Sequence, residues 1–100
     1  MVKSVLEEIE MHENINIAFD RYSTAWNSID KINISKAFSH EVLLEIDKIY
    51  DYVSQYIVNW EIDSMKTVLE RLEKDIRITY PYLNDKSIAI LKNYFSYEWK

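Results

Sequence analysis

The sequence contains no glycine, no cysteine and a single proline, Pro81. Tight β-hairpins rely on glycine where the backbone needs positive φ, so its absence disfavours an all-β fold. Without glycine there is no nucleophile elbow, phosphate-binding loop or dinucleotide fingerprint. Without cysteine there are no disulfides, thiolate metal ligands or cysteine nucleophiles. These absences remove many of the motifs that mark enzymes, and we predict that the protein is not an enzyme.

Long hydrophobic runs are absent as well. No stretch of the 100 residues approaches about 18 consecutive apolar side chains, so we expect no membrane span. The first residues turn acidic and lack the basic and apolar regions of a secretory signal. We therefore expect a single cytoplasmic domain over residues 1–100, long enough to bury one core.

What the chain does contain is apolar side chains at helical spacing. The stretch between Glu41 and Trp60 shows this best, because its apolar and aromatic residues recur every three or four positions: Leu43, Ile46, Ile49, Tyr50, Val53, Ile57 and Trp60. At about 100° per residue these side chains share one side of a helix. Ser39 stands where an N-cap is needed. The pattern predicts a helix over about 40–59.

Similar patterns predict three further helices, over about 2–30, 64–79 and 85–98. The periodicity of the first slips near Asn14, so it is either one helix with an irregularity, which we favour, or two shorter helices. Asp63 and Asn84 are the predicted N-caps of the last two. Residues 30–39 are predicted to be a connection. The whole is typical of an all-α, single-domain antiparallel four-helix bundle.

Aromatic residues are frequent, and most of them follow the predicted apolar stripes. We expect five in the core: Phe19, Trp26, Tyr50, Trp60 and Phe95. The aromatic segment from Tyr94 to Lys100 could stack on nucleic-acid bases, but the basic groove that such binding needs is missing. Docking onto its own bundle is the better interpretation, and we expect no nucleic-acid partner.

Histidines and carboxylates do not form a recognisable reactive site. Glu8 and His12 share a helix face, but a di-iron bundle site needs Glu-x-x-His twice and the chain has none. A surface histidine beside acids is the expected role of His12. We predict no metal, no cofactor and no catalytic residues.

Charge is distributed unevenly along the chain. The formal net charge is −5, and residues 1–63 hold twelve acidic side chains against five basic ones. An acidic surface steers toward basic partners and away from nucleic acid. The simpler alternative, which stays open, is that this charge only keeps a small domain soluble.

One side of the predicted helix 40–59 combines acids with tyrosines. Tyr52 lies about 200° around from Tyr50, on the polar side of that helix. Tyrosine gives contact area at low entropic cost, and carboxylates select a basic partner. The candidate partner-binding residues are Glu41, Glu45, Asp51, Tyr52 and Tyr56. The alternative is that Tyr52 only covers a neighbouring helix or loop.

A short, acidic, cysteine-free helical chain that carries Tyr50-Asp51-Tyr52 on an acidic helix resembles the small immunity proteins of bacterial toxin systems. The resemblance lies in size, charge and architecture, and we transfer no binding residues from it. It implies stoichiometric inhibition of a basic, nuclease-like toxin by an acidic face. The alternatives are a homo-oligomeric structural or regulatory protein and, third, an acidic mimic of DNA. The chain is expected to be a monomer or a homodimer.

Overall fold

The computed structural model describes residues 4–23 and 30–98, which form five α-helices. These are α1 (Val5–Tyr22), α2 (Lys31–Ala37), α3 (His40–Ser54), α4 (Met65–Thr79) and α5 (Asp85–Glu98). The predicted all-α class is confirmed. The helix count differs from the predicted four, because the expected connection over 30–39 contains a short helix of its own.

Three helices organise the packing, since each of them contacts three others. α1 contacts α2, α3 and α5, α3 contacts α1, α2 and α5, and α5 contacts α1, α3 and α4. The core between them is made of aliphatic side chains from all five helices together with Phe19 and Phe95. Burial of these side chains is the main favourable contribution to folding.

α1 is continuous through Asn14, and the slip in periodicity has another consequence than an irregular backbone. Ser4 caps the helix, its hydroxyl accepting from the amide of Glu7 at 3.1 Å. Further along, Ile15 and Phe19 are fully buried. The apolar residues before the slip point elsewhere and are exposed: Val5 72%, Leu6 78% and Ile9 48%. α1 ends at Tyr22, short of the predicted 30, and Trp26 lies outside the described residues.

α2 forms where the sequence predicted a connection. Asp30 caps it, its carboxylate accepting from the amide of Asn33 at 3.2 Å, and Ile34 is fully buried. The helix is only Lys31–Ala37, too short for periodicity to reveal it. Ser39 then caps α3 as predicted, accepting from the amide of Val42 at 3.4 Å.

α3 ends at Ser54, five residues before the predicted end at 59. Ile57 and Trp60 were predicted on its buried face and are instead 88% and 41% exposed. The chain leaves the helical path here because α4 holds it: Arg71 donates to the carbonyl of Ile57 at 3.4 Å. Tyr56 lies in the α3–α4 loop for the same reason, with its ring beside Phe95.

The starts of the last two helices test the predicted caps. Ser64, and not Asp63, caps α4, its hydroxyl accepting from the amide of Thr67 at 3.2 Å. The Asp63 carboxylate instead pairs with Arg71 at 3.1 Å. Asn84 caps α5 as predicted, accepting from the amide of Ser87 at 2.9 Å, and the bounds of α5 match the predicted 85–98.

One side chain of α1 fixes the turn between α4 and α5. The amide nitrogen of Asn16 donates to the carbonyl of Tyr82 at 2.9 Å. Its oxygen accepts from the amide of Asn84 at 2.9 Å and from the buried hydroxyl of Ser87 at 2.8 Å. This network sets the position of the tyrosines on either side of Pro81.

Candidate functional site

The five predicted partner-binding residues lie along α3 and just beyond its end. Glu41 and Asp51 are exposed, whereas Glu45, Tyr52 and Tyr56 are half-buried. The opposite face of α3 enters the core through four buried residues: Val42, Ile46, Ile49 and Val53. The predicted division of α3 into a buried and a solvent-facing side therefore describes the helix itself, although not the residues after Ser54.

Tyr52 lies at the edge of the core, neither in its centre nor free in solvent. Its ring meets that of Tyr80 edge-on at 5.7 Å between centroids. On its other side it meets the ring of Tyr56 at 6.3 Å. Tyr52 thus covers the α4–α5 turn, which was the alternative role, and still presents part of its surface to solvent.

Tyr52 belongs to a row of rings that runs from α1 to the α3–α4 loop. We call this set the aromatic row: His12, Tyr82, Tyr80, Tyr52 and Tyr56. His12 stacks on Tyr82 with centroids 3.8 Å apart and planes 1° from parallel. Tyr82 and Tyr80 meet edge-on at 6.3 Å. Such contacts stabilise beyond the area they bury. His12 is half-buried here, and not the surface histidine beside acids that the sequence predicted.

Two of the hydroxyl groups of the row are bound to carboxylates. Tyr82 donates to Glu45 at 3.1 Å and Tyr56 donates to Asp75 at 2.5 Å. Burial, and secondarily the charge of Glu45, raises the pKa of Tyr82 well above its ordinary range. Burial also raises the pKa of Tyr56, to which Asp75 adds. These phenols are therefore neutral donors near neutral pH, and Glu45 is already engaged within the molecule.

A cleft of about 460 Å³ opens at the C-terminal end of α3. We call it the aromatic cleft, and its lining is Tyr52, Gln55, Tyr56, Ile57, Arg71 and Asp75. The guanidinium of Arg71 lies 5.7 Å from the centre of the Tyr56 ring, within cation–π range. Hydrogen bonding to Arg71 lowers the pKa of Asp63, so this pair is fully charged at neutral pH.

A second cleft, of about 420 Å³, lies at the other end of α3 between that helix and α1. We call it the acidic cleft. Three carboxylates and four apolar side chains line most of it: Glu7, Glu10, Glu41, Met11, Ala37, Phe38 and Val42. Of the predicted site residues, only Glu41 belongs here.

The structure therefore divides the predicted site. Glu41 and Tyr52 are eleven residues apart on one helix, or about 16 Å along its axis. Glu41 lines the acidic cleft, Tyr52 and Tyr56 line the aromatic cleft, and Asp51 is exposed on the helix between them. Glu45 is held between Tyr82 and Lys48, whose nitrogen is 4.0 Å away.

The sequence did not indicate the role of several residues of this surface. Arg71 and Asp75 sit at ordinary positions of the α4 pattern, and nothing local shows that they reach the α3–α4 loop. Tyr80 and Tyr82 gave one signal, since they flank the proline that separates α4 from α5. In the sequence, Glu7 and Glu10 are only two of several acids near the start of the first predicted helix.

Neither a metal site nor a membrane span is found in the part of the chain that the structure describes. Within residues 4–23 and 30–98, no group of three or more histidine or carboxylate side chains is placed to hold a metal ion. No described helix is both long and apolar enough to cross a membrane. The arrangement offers charged and aromatic contact surface.

No protein-family model, curated protein or solved structure matches the chain.

Proposed function

We propose that this protein is a non-catalytic binding module that inhibits a basic protein by covering its substrate cleft. The observation that supports this best is the solvent side of α3, where exposed Glu41 and Asp51 precede a half-buried tyrosine edge formed by Tyr52 and, just beyond the helix, Tyr56. An immunity-type inhibitor of a bacterial, nuclease-like toxin fits this chemistry. The four longer helices serve as its antiparallel scaffold.

The proposed surface assigns different roles to its five residues. Glu41 and Asp51, being exposed, steer a basic partner during encounter. Tyr52 and Tyr56 supply rigid contact area beside the aromatic cleft, as aromatic residues do at the centre of interfaces. Glu45 accepts from Tyr82 and acts as a positioning residue. No cofactor takes part, and the inhibition is stoichiometric in the cytoplasm.

The test uses a basic protein encoded by a neighbouring gene, since immunity proteins are encoded beside their toxins. We expect Asp51→Lys to slow association and Tyr52→Ala to speed dissociation, each by about tenfold. Glu70→Lys is the matched control, because Glu70 is exposed on α4 and lines neither cleft. Kinetics measured by surface plasmon resonance distinguish the three variants. Unchanged association and dissociation rates for both α3 variants would show that this surface does not bind the partner.

A homo-oligomer is the second candidate, and one observation favours it. The α3–α4 loop exposes Ile57 to 88% and Ile62 to 82%. Exposed apolar side chains of this size are common at interfaces. Sedimentation equilibrium tests this candidate: a stable dimer that Ile57→Ser dissociates would favour self-association over inhibition.

A further inference from the structure

The N-terminal half of α1 exposes apolar side chains that no part of the proposed α3 surface uses. Residues 4–10 are all exposed, whereas Ile15, Ala18 and Phe19 further along the same helix are fully buried. Because the helix is continuous, Leu6 and Ile9 face a different direction from the buried Ile15, Ala18 and Phe19. The first group is left without a partner in the described part of the chain.

These side chains form a stripe. Leu6, Ile9, Glu13 and Ile17 follow one another at spacings of three, four and four, so they lie on one face of the helix. Leu6 is 78% exposed, Ile9 48% and Ile17 36%. We call this face the α1 stripe, and it is about 16 Å long. Apolar positions at this spacing are how one helix docks onto another protein.

The charges around the stripe indicate what covers it. Between Ser4 and Asp20 the chain carries five carboxylates and neither lysine nor arginine: Glu7, Glu8, Glu10, Glu13 and Asp20. All five are exposed. Asp20 is paired with Lys86 of α5, whereas the other four lie on the first half of α1. A second copy docked face to face on the stripe would bring those four carboxylates against their counterparts. Since like-charge pairs across an interface are costly, the pattern selects against a second copy and for a basic partner.

We propose that the α1 stripe is a docking site for an amphipathic basic segment, whose apolar line covers Leu6 and Ile9 and whose lysines or arginines meet Glu10 and Glu13. The inference rests on the proposed function for the sign of the partner's charge. It adds a second contact surface on α1, on a different helix from the α3 surface. Pairing of the apolar lines gives affinity, and the flanking charges give specificity.

The probe is a synthetic helical peptide of leucine and lysine with its leucines along one face. A scrambled peptide of identical composition has the same charge but no apolar face. Binding is measured by fluorescence anisotropy at physiological salt. We expect the amphipathic peptide to bind, and Leu6→Ser with Ile9→Ser to weaken it by about tenfold or more. Glu13→Gln weakens it less and reduces its salt dependence.

Ile32→Ser is the matched control, because Ile32 is 70% exposed on α2 beside Lys31. We expect it to leave peptide binding unchanged. The inference is overturned if the scrambled peptide binds equally well, since plain charge attraction would then suffice. It is also overturned if sedimentation shows a dimer that the Leu6→Ser and Ile9→Ser variant dissociates, since a second copy would then occupy the stripe.

The outcome for the α1 stripe can be separated from that of the proposed function. Asp51→Lys and Tyr52→Ala address α3 and are expected to leave peptide binding unchanged. A protein that binds its basic partner through α3 but ignores the peptide would overturn the α1 inference alone. Because Leu6 and Ile9 are exposed, their substitution is expected to leave the fold intact, which circular dichroism checks.

Discussion

The two ends of α3 carry clefts whose charged side chains differ in arrangement. At its C-terminal end, the aromatic cleft pairs each charged group it contains: Tyr56 with Asp75, and Arg71 with Asp63. At its N-terminal end, the acidic cleft brings Glu7, Glu10 and Glu41 to one opening, with no lysine or arginine in its lining. One end is satisfied within the molecule. The other end concentrates a single sign of charge at the surface.

This difference separates stability from recognition. Hydrogen-bonded and ring-packed groups stabilise the fold, because their partners are already in place. Carboxylates that share one opening repel one another and attract a partner of positive charge. The aromatic end should therefore dominate the response to denaturation, and the acidic end should dominate the response to a basic partner.

Alkaline pH is expected to have the largest effect, and to act through the buried and half-buried tyrosines, Tyr50 and those of the aromatic row. Burial raises the pKa of Tyr82, Tyr80 and Tyr56, so the unfolded chain loses these protons first, near its ordinary value of about 10. Stability is thus fully present below about pH 10 and falls as pH rises further. Phenolate absorbance and far-ultraviolet circular dichroism should change together. Ionisation of all tyrosines without loss of helix would contradict this.

Asn16→Ala should have the next largest effect, because it removes the link that fixes the α4–α5 turn. The change leaves the fully buried Ser87 hydroxyl without its acceptor and frees the carbonyl of Tyr82. We expect a loss of about 2–3 kcal/mol in the free energy of unfolding, measured by urea denaturation. The matched control is Asn93→Ala, at an exposed position of α5, where a change within about 0.5 kcal/mol is expected. Equal effects of the two substitutions would show that the turn does not depend on Asn16.

The comparison of the two ends also shows how far the sequence alone could lead. Features that depend on a few neighbouring residues were predicted correctly. Ser39 and Asn84 cap their helices, and α5 has its predicted bounds. The end of α3 is different. Ile57 and Trp60 continue the helical spacing, yet Arg71 and Asp75 on α4 hold the loop in another course. Contacts between segments far apart in the chain are invisible to periodicity.

In the candidate site, too, features that depend on one helix were predictable and contacts between helices were not. The acidic and tyrosine character of α3 was readable, since it depends on one helix. The division of Glu41 from Tyr52 between two clefts was not, because the clefts are made with α1 and α4. The slip of periodicity at Asn14 is real, but it marks the point where the apolar pattern moves to the buried face of α1, and not a break in its backbone.

Within the aromatic row, a pair of tyrosines tests which rings are structural. Tyr82→Phe removes the hydrogen bond to the half-buried Glu45, and we expect a loss of about 1 kcal/mol. The Tyr52 hydroxyl makes no hydrogen bond to any residue the structure describes, so Tyr52→Phe should change stability by less than about 0.5 kcal/mol. Urea denaturation of both variants checks the order. If Tyr52→Phe were the more costly, Tyr52 would belong to the structural part of the row.

The smallest expected effect has the opposite sign and lies at the acidic end. Glu10→Gln relieves repulsion from Glu7, one turn away, and should stabilise the protein by about 0.3 kcal/mol. Its counterpart is Glu73→Gln, which removes the carboxylate that meets Lys92 at 2.8 Å and should cost about 0.5 kcal/mol. Both changes should shrink at high salt, because they arise from surface charge. Thermal unfolding at low and high salt measures them. A destabilising Glu10→Gln would mean that the acidic cleft is satisfied within the molecule, and the contrast between the two ends of α3 would be lost.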